Sequence, residues 1–381
     1  MTKKIFLLIT FSILLAQPDD CNNGRYIEEI FQVGIESEVE YGENTNQTLL
    51  GSDYTQTLYM DIYYPENDNL EDRPLIFFMF GGSFIGGSKS SGDIVALCTK
   101  YAQRGYVAVA IDYRLSPVLI FSANEETAYK AVLKAMHDVK SAIRYFRMMD
   151  ETSPSTYRID SNRIFVGGVS AGAIAAVNAA YLDYYEEVPS FLLDEYDDLG
   201  GIEGFSGNPG YDSNFHGIVN LCGAVGDQEW IISGDIPVVS MHGDQDDVVP
   251  YDDNLVTLFG LNIQIDGSYV IHQRMLELDN YSSLHTYENQ GHTPFSNMIF
   301  ESQYTSDFLY DIVCSESESY MLGDINSDLL INILDVVLII SFILEESIPT
   351  NLEFLASDLN QDDVVNVLDV VNIVNIILGE S

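Results

Sequence analysis

The stretch Arg163 to Val177, RIFVGGVSAGAIAAV, constrains the fold more than any other part of the chain. A β-branched run halts at Gly167 and Gly168, Ser170 follows, and a run of alanines starts at once. β-Branched residues favour a pleated strand and alanines a helix. Only a very tight turn joins the two, and the glycines let strand, turn and helix approach closely. A turn of this kind lifts the serine hydroxyl above the end of a sheet, where it is able to act as a nucleophile. The same residues also serve plain close packing, so a base, an acid and oxyanion donors have to be found elsewhere in the sequence.

The flanking pattern extends that reading. From about residue 26 to 313, TLYMDIYYP, PLIFFMF, YVAVAIDY, RIFVGGV, GIVNLCGA, PVVSMHG and SLHTYE read as strands. SGDIVALCTKYAQRG and ETAYKAVLKAMHDVKSAIRYFRMM carry apolar residues at helical spacing. The alternation predicts an α/β fold: a mostly parallel sheet covered by helices on both faces, with function at the carboxyl ends of the strands. Tyr181 to Asn214, rich in Tyr, Asp, Glu and Gly, interrupts the rhythm and reads as a lid or insertion at the rim.

With 381 residues the chain accommodates one large domain and a small one. A hydrophobic content of 46% supplies a packed core. The net charge of −43, from 59 acidic against 16 basic residues, excludes nucleic acid and anionic membranes as partners. Lys3 and Lys4 ahead of the apolar run Ile5 to Leu15 read as a secretory signal over residues 1–17, too short for a membrane span. In a secreted chain, the four cysteines (Cys21, Cys98, Cys222 and Cys314) predict two disulfides in one of three pairings.

Four segments that follow predicted strands carry candidate chemistry. FFMFGGSFIGGS offers backbone N–H groups on a glycine-rich turn. The elbow offers Ser170, HGDQDDVVPY a cluster of acids, and ENQGHTPF a histidine in a glycine-flanked loop. Of the six histidines, only His292 stands in such a loop. His137, His272 and His285 fit helices or a strand, His216 precedes a strand, and His242 ends one. The order Ser, Asp, His differs from that of chymotrypsin or subtilisin.

Together FGGSFIGGS, AIDYRLSP, DSNRIFVGGVSAGA, HGDQDDVVPY and GH resemble the α/β-hydrolase superfamily, within it the bacterial carboxylesterases related to feruloyl and acetyl esterases. The resemblance runs from about Arg25 to Cys314 and implies an eight-stranded, mostly parallel sheet. It also implies that Ser170 is the nucleophile, Asp246 the triad acid and His292 the general base, with Asp244 and Asp247 as competitors for the acid. The implied oxyanion donors are the backbone N–H groups of Gly82, Ser83 and Ala171, and catalysis needs no cofactor. The family's loop opens with histidine, whereas this chain has Phe80 there, so the expectation is a working hole on a less rigid loop. Phe84 and Trp230, placed after predicted strands, are expected to line the substrate pocket.

After the polar linker 315–322, residues 323–381 contain an internal repeat. Two segments 34 residues apart spell D-x-N-x-D, with Asn at position 9 and Asp at position 12. The oxygen ligands expected are Asp324, Asn326, Asp328, Asn332 and Asp335, then Asp358, Asn360, Asp362, Asn366 and Asp369, with main-chain carbonyls of Leu330 and Val364. That is the spacing of an EF-hand-like loop, predicting two structural Ca²⁺ ions. Leu329 and Asp363 occupy the position where glycine is usual, a departure that weakens the loop geometry. The tandem repeat with Asp at position 12 resembles type I dockerin modules, which implies a cohesin-like partner. The expectation is a secreted serine carboxylesterase (residues 18–314) acting on esters such as acetyl or feruloyl groups of polysaccharides. The competing readings are a silent adhesion or scaffold protein on a hydrolase fold, and a prolyl-oligopeptidase-like peptidase.

Overall fold

A computed structural model describes residues 21, 23–116, 124–193, 196–258, 261–314, 322–326, 331–344, 347, 349, 351–360 and 364–378. The signal segment 1–17, linker positions 315–321 and the ligand candidates Asp328, Leu330 and Asp362 lie outside them. The chain divides into two compact units, 18–314 and 315–381.

In the larger unit the apolar runs become strands because both faces are covered. These strands are β1 (Val33–Gln47), β2 (Asp53–Pro65), β3 (Arg73–Met79), β4 (Val107–Ile111), β5 (Ile159–Val169), β6 (Ile218–Leu221), β7 (Ala224–Val225), β8 (Val238–Gly243), β9 (Asp253–Leu258), β10 (Leu261–Gly267) and β11 (Ser282–Tyr287). The main sheet has eight strands in the order β1-β2-β4-β3-β5-β6-β8-β11. The β1–β2 and β2–β4 pairs are antiparallel and the others parallel. Every residue of β3 and β4 is buried, as continuous apolar strands in the middle of a sheet must be.

Helices α1 (Gly92–Gln103), α2 (Glu125–Thr152), α3 (Ala171–Tyr181), α4 (Tyr196–Leu199), α5 (Ser268–Glu277) and α6 (Ile299–Val313) complete this unit. All seven predicted strands form, and so do the two predicted helices. Three strands were not foreseen. β1 pairs with β2 as an edge strand whose side chains are mostly exposed. β9 and β10 form a hairpin that joins β7 in a separate three-stranded sheet, inserted between β8 and α5. The smaller unit packs α7 (Ile333–Ile343), α8 (Asn351–Ser357) and α9 (Val367–Leu378) around Ile325, Val336, Ile339, Ala356 and Ile373.

The expectation of two disulfides is corrected to one. Cys21 is bonded to Cys314, joining the two ends of the larger unit, while Cys98 and Cys222 are free and fully buried. Cys98 sits near Asp61 and Tyr63, and Cys222 near Asp246 and Thr293, so the two sulfurs have different neighbours and never meet. Burial pushes the Cys98 thiol well above its usual range and the Cys222 thiol up to about 12. The native protein is therefore expected to ignore a thiol reagent, whereas the denatured, non-reduced protein should titrate two thiols. The disulfide closes a loop of 293 residues, so Cys21→Ser with Cys314→Ser should cost about 2–5 kcal/mol of stability in chemical denaturation.

Candidate active site

At the end of β5 the chain turns into α3 through Ser170, whose φ of 55° and ψ of −119° place a non-glycine residue in a strained region. Two contacts explain the flanking glycines. A Cβ on Gly168 would lie 2.3 Å from the Gly172 carbonyl carbon, and one on Gly172 would lie 2.2 Å from the Met79 oxygen. Only hydrogen fits at either position. The Ser170 N–H donates to Leu221 O at 2.8 Å, which ties the turn to the end of β6.

Three side chains predicted from distant segments meet at this turn. His292 Nε2 lies 2.8 Å from Ser170 Oγ, and His292 Nδ1 lies 2.6 Å from Asp246 Oδ2. A ring that donates Nδ1–H to the carboxylate leaves Nε2 free to accept the serine hydroxyl. Of the competing acids, Asp244 instead accepts the Asn289 N–H, and Asp247 is exposed. The Asp246 side chain is fully buried. Burial alone would raise its pKa. Hydrogen bonds from His242 and His292 and the Val248 N–H outweigh that, and hold the carboxyl well below the usual carboxylate range.

Two neighbours were missed as members of this group. His242 Nε2 lies 3.0 Å from the same Asp246 Oδ2 and 3.0 Å from Val249 O, and its Nδ1 lies 2.7 Å from Ser268 Oγ. Its HGxxD spacing was the available signal: a histidine ending β8 is within reach of an acid four residues on. Cys222 carried no signal. Its sulfur, an Asp246 oxygen and a His292 nitrogen all lie within 4.8 Å of one another. Four N–H donors already occupy the carboxylate, from His242, His292, Val248 and Val249. The cluster is thereby suited to holding His292 in place and poorly suited to a metal centre.

Ser83, Phe84, Ala171, Trp230 and Ser170 line one cleft. The Ala171 N–H starts α3 and so lacks a helical partner. Gly82 is not among the lining residues of that cleft. It shapes the loop instead, with φ 128° and a carbonyl that accepts the N–H groups of Ile85 and Gly86. Ser83 and Phe84 are also left-handed. Phe80 does not loosen this loop. Its ring stacks on Tyr113 at 4.2 Å, and the Tyr113 hydroxyl donates to Phe80 O at 2.7 Å. Farther along, the Lys89 N–H donates to Asp112 Oδ1 at 2.8 Å, and its ammonium pairs with Glu38 and Asp61.

The smaller unit presents two matching loops. Asp335 accepts N–H groups from Ile325, Asn326 and Asn332, and Asp369 accepts those of Leu359, Asn360 and Asn366. Asn332 and Asn366 accept from Leu334 and Leu368, capping α7 and α9. Asp324, Asp335, Asp358 and Asp369 are all buried. The Val364 side chain is exposed.

Because the folded Asp246 carboxyl sits below its unfolded value, its contribution to stability is complete above about pH 4 and disappears as pH falls through the folded value. Asp246→Asn should therefore lower stability at pH 7 by more than at pH 3, as read by urea denaturation at both values.

Residues 60–198 match the BD-FAE family model, and residues 322–378 match that of the dockerin type I domain. Esterase LipC of Mycobacterium tuberculosis is 28% identical over 162 residues, which cover 42% of this chain and 36% of LipC. A non-reducing polyketide synthase, atr1 of Stereocaulon alpinum, is 28% identical over 142 residues, or 5% of its length. The chain thus spans 36% and 5% of the curated relatives it matches. Esterase 2 of Thermogutta terrifontis, in the structure phosphorylated by paraoxon, superposes with a TM-score of 0.51 at 20% identity. That superposition covers 73% of this chain and 94% of that one. The sarin-phosphonylated form of the same enzyme gives the same TM-score of 0.51 over 73% and 95%. The chain is therefore similar to the BD-FAE family over residues 60–198 and to the dockerin type I domain over residues 322–378, and its larger unit shares the α/β fold of that esterase.

Proposed function

We propose that the protein is a secreted serine carboxylic ester hydrolase, held to a cohesin-like partner by its dockerin domain. The observation that carries this reading is the hydrogen-bonded relay Ser170–His292–Asp246 at the mouth of a cleft. His292 Nε2 takes the Ser170 proton as Oγ bonds to the ester carbonyl carbon. The resulting oxyanion is held by N–H groups of the Gly82–Ser83 turn and Ala171. The intermediate collapses by breaking the bond to the alcohol oxygen, and His292 returns the proton to that leaving group. A water molecule then repeats the sequence on the acyl-enzyme and releases the acid. Asp246 keeps Nδ1 protonated and stabilises the imidazolium.

An oxidising compartment suits the Cys21–Cys314 bond. Among the described residues no helix is long and apolar enough to cross a membrane. The polysaccharide context rests on the dockerin domain and on the resemblance to feruloyl and acetyl esterases. The hydrogen-bonded relay favours the esterase reading over that of a silent scaffold.

Calcium fits the repeat loops on the chemistry of their donors: buried carboxylates, amide carbonyls and main-chain oxygens, all hard ligands. Asp324, Asn326, Asn332 and Asp335, and Asp358, Asn360, Val364, Asn366 and Asp369, would hold it, and its charge would neutralise crowded carboxylates there. The hydrolase unit supplies its own chemistry from Ser170, His292 and Asp246.

Ser170→Ala and His292→Ala should each lower turnover of p-nitrophenyl esters by about 10⁴-fold with the circular dichroism spectrum unchanged. Paraoxon should add one phosphoryl group per chain to the wild type and none to Ser170→Ala, as read by mass spectrometry. A residual activity above a tenth in Ser170→Ala would remove the serine mechanism. Calorimetry on the full chain is expected to find two calcium ions, both lost in Asp324→Ala with Asp358→Ala. Chelation should melt helix within 323–381 and leave ester hydrolysis nearly unchanged.

A further inference from the structure

The cleft beside Ser170 is narrow, with a free volume of about 80 Å³. Its walls come from five separate places. One stripe of α2 contributes Val132 and Met136, α3 contributes Ile174, and the insertion after α3 contributes Leu192. The β9–β10 hairpin adds Val256 and Ile265, and Trp230 stands at the edge. None of the lining residues carries a charge.

Two of the polar side chains in the wall are already engaged. Asn178 Nδ2 donates to Ile174 O at 2.7 Å and to Ala224 O at 3.0 Å, while its Oδ1 accepts the Gly226 N–H at 3.0 Å. Thr257 Oγ1 donates to Asn262 Oδ1 at 2.9 Å. A hydroxylated sugar or a phenolic acid entering such a chamber would give up water and find only Ser83, Tyr129 and Trp230 as polar partners, at a cost of about 1–3 kcal/mol for each buried polar group left unpaired. A hydrocarbon chain gains about 0.8 kcal/mol for every methylene buried.

We propose that the cleft is an acyl pocket for aliphatic chains, so that the favoured substrates are esters of fatty acids longer than acetic acid. This rests on the esterase reading above. The chain is assigned to the acyl side because the alcohol leaves after the first step, whereas the acyl group stays bonded to Ser170 until water arrives. An enclosed apolar chamber suits the group that stays. The β9–β10 hairpin and the insertion after α3 are then specificity elements.

Ethyl octanoate and octyl acetate have the same atoms and place the long chain on opposite sides of the ester. The full-length wild type should hydrolyse ethyl octanoate with a kcat/KM at least tenfold above octyl acetate. In a p-nitrophenyl series, kcat/KM should rise at least tenfold from acetate to octanoate. Val132→Trp, which fills the chamber, should move the optimum of that series to shorter chains. A wild type that prefers acetate, or prefers octyl acetate over ethyl octanoate, overturns the acyl-pocket assignment while leaving the esterase reading intact, provided Ser170→Ala abolishes the activity. A wild type inert on the whole series, and unlabelled by paraoxon, overturns the esterase reading itself and this proposal with it.

Discussion

The Asp246 carboxylate is the point on which the site depends. It is a fully buried charge in a chain of net charge −43, and it is tolerated because four N–H donors converge on its two oxygens. Each donor belongs to a different requirement. Val248 and Val249 close the turn after β8, His242 fixes the end of β8 itself, and His292 brings in the loop that follows β11. His242 is in turn held by Ser268, the first residue of α5, so the β9–β10 hairpin returns to the same point. Removing one partner of a buried, hydrogen-bonded charge costs more than the bond is worth, because the other groups are left unpaired. The arrangement of the acid loop, the hairpin and the histidine loop thus follows from satisfying one carboxylate.

The opposite wall is governed by steric exclusion instead of charge. Gly168, Gly172 and Gly81 allow three backbone segments to touch: a Cβ on Gly81 would stand 3.1 Å from Ser170 Cβ. The strained Ser170 backbone is sustained by this packing and by the N–H bond to Leu221. The loop of Gly82 and Ser83 is then braced from behind. Phe80 stacks on Tyr113, and the tyrosine hydroxyl adds a polar tie to the Phe80 carbonyl. Both contacts meet the same demand, since the loop's backbone must stay turned toward Ser170.

This division explains what could be read from sequence. Buried strands and the elbow were legible because burial on both faces forces continuous apolar runs, and close approach forces glycine. Ser170, Asp246 and His292, which meet through hydrogen bonds, stood out because each follows a strand. β1 was passed over although Val33, Ile35, Val39 and Tyr41 fall at alternate positions, because acidic and polar residues surround them. The β9–β10 hairpin also carried a signal, since LNIQID alternates apolar and polar residues at the period of a strand, but no Asn-Gly or Asp-Gly turn marks it. Cys222 gave no signal because its place beside His292 arises from tertiary contact alone. The second disulfide failed because an even count of cysteines says nothing about which sulfurs can meet. In the repeat loops, Asn332 and Asn366 were expected as oxygen donors, but their use as helix caps becomes visible only with α7 and α9 in place.

The few cations of the chain bear on the same cleft. With only 16 basic residues against 59 acidic ones, many of those described are drawn inward to neutralise buried carboxylates. Arg114, only 4% exposed, pairs with the fully buried Asp138 at 2.9 Å, and both bond Ser206 in the insertion after α3. Lys140 and Arg144 on α2 reach Glu203 in that insertion, but the Glu203 side chain is 57% exposed. The two anchors respond to salt differently. A buried pair is screened little, and a pair with an exposed member is screened more. Ser206 and Glu203 thus tie the insertion to α2 through contacts of unequal exposure. Since the insertion supplies one wall of the cleft, these anchors help to set the position of that wall.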